Sequence, residues 1–118
     1  MNIEAVRRFV RLCFEKQPSR DEFEILLAMS MVVPRSVRIG LTSRIINHDQ
    51  TMRSITIPVL ATQGTKDAII SPALNEHLLS CIPRAQTSIF AGAGHIPPFE
   101  APNRFNDELA TFTRKYAG

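Results

Sequence analysis

The sequence predicts an α/β fold: a helical segment and connector over residues 1–52, then a parallel βαβα unit over residues 53–118. Three observations carry this. Apolar residues in the first half recur with helical period. Two short runs rich in β-branched residues, ITIPVLA at Ile55–Ala61 and TSIF at Thr87–Phe90, read as strands. Each run is followed by a Gly-containing polar loop and then by an amphipathic helical pattern.

Val6, Phe9, Val10, Cys13 and Phe14 form the stripe of a first helix, expected to stop near Gln17 because Pro18 disfavours helical geometry in the residue before it. Ser19-Arg20-Asp21-Glu22 is a capping box that starts a second helix, with Phe23, Leu26, Leu27 and Met31 on its apolar face. Pro34 opens a third, shorter helix running toward Ser43, and the polar stretch Asn47 to Arg53 reads as a connector. The strand at Ile55–Ala61 has little polar alternation, which fits burial on both faces, with Pro58 tolerable near its beginning. Ser71 and Pro72 cap and open a helix whose stripe is Leu74, Leu78, Cys81 and Ile82. After Thr87–Phe90 comes the Gly92 to Phe99 loop, then a closing helix from about Pro102 with Phe105, Leu109, Phe112 and Tyr116 on one side.

Composition excludes several functions. The 118 residues, 44% hydrophobic and 21% charged, suit one ordinary globular domain. No run of about 18 apolar residues occurs, so neither a membrane span nor membrane partners are expected, and the cytoplasm is the default compartment. The net charge of +3 comes wholly from residues 1–53, with nine basic and six acidic side chains. Arg7, Arg8 and Arg11 interleave with Glu4 and Glu15 and have no aromatic platform beside them, so they read as a solvated helix face and no nucleic-acid partner is expected. Cys13 and Cys81 lack metal or redox spacing and sit in apolar stripes as buried thiols. With no metal cluster, dinucleotide fingerprint or phosphate loop, no cofactor is implied. His48 is expected to be exposed and His77 to be a partly buried packing residue.

Topology points to a site. In a βαβ unit the loops after both strands leave from one sheet edge, where open α/β sheets place their chemistry. Asp67 is in the first such loop and His95 in the second. A carboxylate can lock an imidazole in the tautomer that accepts a proton from a nucleophile and returns it to a leaving group. Gly92 and Gly94 permit the tight turn that presents His95, and Pro97 and Pro98 stiffen its far side. Taken separately, GTKD reads as a polar turn and a histidine in a Gly/Pro loop as structural; their joint placement favours chemistry.

Over Ile55 to Tyr116 the sequence resembles the C-terminal portion of the α/β-hydrolase superfamily. The matching residues are an apolar strand leading into GTKD, then G-H-x-P-x-x-E-x-P-x-x-F at Gly94, His95, Pro97, Glu100, Pro102 and Phe105. The resemblance implies a partial α/β-hydrolase fold, with the helical first half as a cap segment. It implies that Asp67 is the acid and His95 the general base of a serine-type hydrolase of small ester or lactone-like substrates. It also implies that Ile69, Ile70, Ile96 and Phe99 face the pocket. The GxSxG nucleophile elbow, which precedes acid and histidine in such enzymes, is absent from the chain. A fragment or truncated form, inactive alone, is therefore expected, with a small-molecule substrate bound once a nucleophile-bearing half completes it. Self-association through the exposed sheet edge is expected as well. The alternative is a non-catalytic binding or regulatory module derived from the fold, against which retention of both Asp67 and His95 argues.

Overall fold

A computed structural model describes residues 2–116. The order of elements is α1 (Ile3–Leu12), α2 (Arg20–Val32), α3 (Arg35–Thr42), α4 (Asp49–Arg53), β1 (Leu60–Gly64), α5 (Pro72–Cys81), β2 (Gln86–Phe90), α6 (Pro97–Glu100) and α7 (Pro102–Tyr116).

The helical half packs α1 against α2. Asn2 caps α1 by accepting the Glu4 amide at 2.7 Å. The Ser19/Glu22 capping box is formed in both directions. Val6, Val10, Cys13 and Phe14 meet Phe23 and Leu27 in one buried cluster. Arg11 lies over the Phe23 ring at 4.8 Å, and Arg7 pairs with Glu24 at 3.5 Å. These two arginines thus cover the α1/α2 seam, as a solvated helix face does. Helix α1 ends at Leu12, earlier than Pro18 alone would require, because the chain after it is drawn onto the β2–α6 loop: the Cys13 carbonyl accepts the His95 amide at 2.9 Å. Met31, expected on the apolar face of α2, is 43% exposed, and Met29 and Val32 near the same end of the helix are exposed too. The connector contains the short helix α4, an element its polar composition did not announce.

Strands β1 and β2 are parallel, in register from Leu60 opposite Gln86 to Gly64 opposite Phe90. The first strand begins five residues later than its apolar run. Gln86 is the first residue of β2, and its amide reaches back only to the Val59 carbonyl, so the residues before Val59 have no ladder partner among those described. Ile57 is accordingly 70% exposed, and burial on both faces is reached only at Gln63 and Gly64. Helix α7 covers β2 through Phe105 against Phe90, Arg104 stacked 4.0 Å from the Phe90 ring, Ser88 donating to Glu108, and Gln86 donating to the Tyr116 hydroxyl. In α5, Cys81 is buried and Ile82 just beyond it is buried too, while Leu74, expected in the same stripe, is 55% exposed. Both cysteines are free and buried. No single helix among the described residues is long and apolar enough to cross a membrane; α2 and α3 together reach that length and composition but are bent by 85°.

The surface is large for the chain. A folded 13.2 kDa monomer is expected to expose about 6,400 Å², whereas this one exposes 8601 Å². Its radius of gyration is 16.2 Å, against about 13.5 Å for a domain of this length.

Candidate active site

The two loops that leave the carboxyl ends of the strands meet. The turn after β1 carries Asp67, whose Oδ1 accepts the amides of Ile69 and Ile70, both at 2.8 Å. That local turn aims the other oxygen, Oδ2, across the sheet edge. The loop after β2 returns His95 to the same place, and its Nδ1 lies 2.9 Å from Asp67 Oδ2. The Asp67 side chain is 6% exposed and that of His95 33%.

The charge state of Asp67 follows from its neighbours. Burial pushes its carboxyl upward, but the Ile70 amide, the His95 side chain, the Ile69 amide and the positive charge of a protonated imidazole together outweigh that, leaving it below the usual aspartate value. An ionised carboxylate accepts only, so His95 Nδ1–H is the donor and the neutral ring carries its lone pair on Nε2. Nε2 makes no hydrogen bond among the described residues. Such an arrangement holds an imidazole in one tautomer and leaves Nε2 able to accept a proton.

Three features hold the histidine loop. Gly92 adopts φ +76°, the left-handed turn that glycine permits. Gly94 serves a different purpose: a Cβ there would come within 2.7 Å of the Glu15 nitrogen and 2.9 Å of Glu100 Oε1. Glu100 accepts the Gly94 amide through Oε1 at 2.7 Å and the Lys16 amide through Oε2 at 2.8 Å. The motif suggested no such tie, because Lys16 lies 84 residues from Glu100 in sequence. Pro97 is buried beneath the loop, at the start of α6. Behind the pair, the Cys13 thiol is pushed up by burial and then by the negative charge of Asp67, so it remains protonated and is not a nucleophile.

An open cavity of about 330 Å³ adjoins the pair, lined by Ala61–Gln63 of β1, Leu74, Asn75 and Leu78 of α5, Ile70, Asp67 and His95. Of the four expected pocket residues, Ile70 lines this cavity. Ile69 and Ile96 pack against the buried cluster of α1 and α2. Phe99 stacks edge-on to Phe14 at 6.0 Å and lines a separate groove. His48 is exposed. His77 is more exposed than expected, 48% at its side chain, because its ring turns from the stripe of α5 toward Asp49 of α4.

The backbone superposes on solved structures over almost the whole chain. A Burkholderia cenocepacia protein assigned as an aryl esterase matches 96% of it with a TM-score of 0.91 and 29% identity. The esterase RhEst1 from Rhodococcus sp. ECU1013 matches 93% with a TM-score of 0.84 and 31% identity.

The chain has the C-terminal part of the α/β-hydrolase fold.

This α/β-hydrolase portion spans 42% and 40% of the two solved chains. In sequence it is also 32% identical to polyketide synthase ThaQ of Burkholderia thailandensis over 78 residues, which is 64% of the chain but 4% of that protein. No protein-family model matches it.

Proposed function

We propose that the chain is the acid- and histidine-bearing part of a serine-type hydrolase acting on small ester or lactone-like substrates. The observation that supports this most is the 2.9 Å contact of His95 Nδ1 with the Asp67 carboxylate, whose side chain is 6% exposed, which leaves Nε2 available beside an open cavity. The esterase descriptions of the structural relatives support the substrate class.

In this reading a serine hydroxyl attacks the substrate carbonyl and passes its proton to His95 Nε2. The imidazolium, stabilised by Asp67, returns that proton to the departing alcohol. Water then attacks the acyl-serine, again losing its proton to His95, and the acid is released with the serine regenerated. No GxSxG elbow is present in the 118 residues, so the nucleophile comes from elsewhere and the chain by itself does not turn over. Losing a serine nucleophile costs on the order of 10⁶ in rate.

The test is hydrolysis of p-nitrophenyl acetate by the purified chain, and by the chain co-expressed with the part of the Rhodococcus esterase that it does not cover. Background rates alone, and saturable turnover after co-expression that His95→Ala abolishes, are the expected results. Saturable turnover by the lone chain would overturn its inactivity. Reconstituted turnover indifferent to His95→Ala would overturn the assignment of the base.

A further inference from the structure

Away from the Asp67/His95 pair, three side chains of different chemistry converge on one point. His77 and Cys81 stand four residues apart on α5, hence on one helix face, and Asp49 reaches them from the first turn of α4. His77 Nε2 lies 2.8 Å from Asp49 Oδ1 and 3.7 Å from Cys81 Sγ. All three ligand atoms lie within 4.8 Å of one another.

Both contacts fall on the same ring nitrogen, which rules out a relay of the kind formed by Asp67 and His95. A relay needs the carboxylate on one nitrogen and the nucleophile on the other. A single focus is instead what a metal ion requires. Bonds of about 2.3 Å to sulfur and about 2.05 Å to nitrogen at a tetrahedral angle separate those two atoms by about 3.6 Å, close to the 3.7 Å observed. The nitrogen and the carboxylate oxygen need to open to about 3.3 Å, and the sulfur and that oxygen, within 4.8 Å of each other, to settle at about 3.5 Å.

We propose that Asp49, His77 and Cys81 form a site for zinc or a similar thiophilic divalent cation, with water in the fourth position. Cys81 is 1% exposed and closes the inner side, while the half-exposed Asp49 and His77 leave the outer side open for entry. On binding, the Cys81 thiol gives its proton to water as the metal–sulfur bond forms, and any proton shared by His77 Nε2 and Asp49 is released likewise. The ion then ties α4, at the end of the helical half, to α5, which packs on β1.

The experiment uses the full chain with Co²⁺ as a spectroscopic probe for zinc. The expected result is one bound Co²⁺ with a sulfur-to-cobalt charge-transfer band and tetrahedral d–d bands. Zinc should displace it, and at about a hundredfold excess over Kd should raise Tm by about 5 °C or more. The band should persist in Cys13→Ser and vanish in Cys81→Ser. His77→Gln and Asp49→Asn should each weaken binding about tenfold or more. Absence of the band at saturating Co²⁺, or its survival in Cys81→Ser, overturns the site. Should Cys81→Ser fail to fold by circular dichroism, unchanged Co²⁺ affinity in both other variants overturns it equally.

Discussion

One carboxylate, that of Glu100, accepts the amide of Gly94 with one oxygen at 2.7 Å while its other oxygen accepts the amide of Lys16 at 2.8 Å. The residue just before the candidate base is thereby tied to the segment leaving α1. The next amide, that of His95, is tied to the same segment through the Cys13 carbonyl. The ring of His95 is oriented from the front by Asp67, and its backbone from behind by residues of the helical half.

Glu100→Ala should therefore disturb more than a surface charge. It strands two amides that now meet a carboxylate, and hydrogen bonds to charged groups contribute about 1.5–3 kcal/mol each. Water can replace the carboxylate at the exposed Lys16 amide, so a loss of about 2–3 kcal/mol in urea unfolding is expected, mainly from the half-buried Gly94 amide, with Glu100→Gln intermediate because its amide keeps one acceptor oxygen and turns an NH₂ toward a donor. The His95 ring protons should shift in the Ala variant, which a remote surface change would not cause. Equal stability of the three proteins would show that the tie contributes nothing.

The three glycines of this region should respond differently to alanine. At Gly64 an added Cβ would fall 2.1 Å from the Gly94 carbonyl oxygen and 2.2 Å from that of Ala93, both backbone atoms that cannot step aside cheaply. Gly64→Ala should cost about 3 kcal/mol or more, or prevent folding. Gly92 has open space but φ +76°, so Gly92→Ala should cost about 1–2 kcal/mol from backbone strain alone. Gly94→Ala should fall between, since part of its crowding is the movable end of Glu100. Thermal unfolding of the three variants in parallel checks the ranking.

What could be read from the sequence was set by local chemistry. The Ser19/Glu22 box, Pro72 at the head of α5 and Pro102 at the head of α7 act over one helical turn, so they mark boundaries without tertiary information. The meeting of Asp67 with His95 was also legible, because parallel pairing places both loops at one edge whatever the side chains do. Illegible were the features fixed by distant partners. The start of β1 depends on where Gln86 begins the neighbouring strand, the end of α1 on the demand of His95 for the Cys13 carbonyl, and the exposure of His77 on Asp49 of a helix hidden in a polar connector.

Asp67 gives a pH dependence of definite sign. Its folded-state value lies below the ordinary aspartate value of about 3.9, so it binds protons more weakly folded than unfolded. Its contribution is fully present above that ordinary value and is lost as pH falls through the folded value. Wild type should exceed Asp67→Asn in stability at pH 7, and the gap should close as pH falls below about 4. Urea midpoints of both proteins at pH 7, 5 and 3 measure this. Glu108, also held low by Ser88 and Arg104, contributes equally to both proteins and cancels. A gap constant across that range would mean that the carboxylate's charge has no part in it. In the co-expressed enzyme the same substitution should lower kcat by about 10⁴, because an asparagine NH₂ facing Nδ1 selects the wrong ring tautomer.

The final prediction comes from the surface. The chain exposes roughly 2,000 Å² more than a monomer of its mass should, and large apolar side chains are among what it exposes. Met29, Val32 and Leu41, on α2 and α3, are 66%, 81% and 73% exposed, and Ile45 beyond them is fully so. Two strands make a sheet too small for independent stability, and the outer edge of β1 has no strand partner among the described residues. Both features suit a chain whose apolar faces are covered by further protein. At micromolar concentration the isolated chain should self-associate in sedimentation velocity and bind a hydrophobic dye. Co-expression with a nucleophile-bearing half should suppress both and sharpen the melting transition. Replacing Val32 and Leu41 by Glu should reduce self-association without altering the His95 to Asp67 contact, since neither residue is in the buried cluster that packs behind it. A monodisperse monomer that binds no dye in the unmodified chain would mean that the exposed apolar faces need no cover.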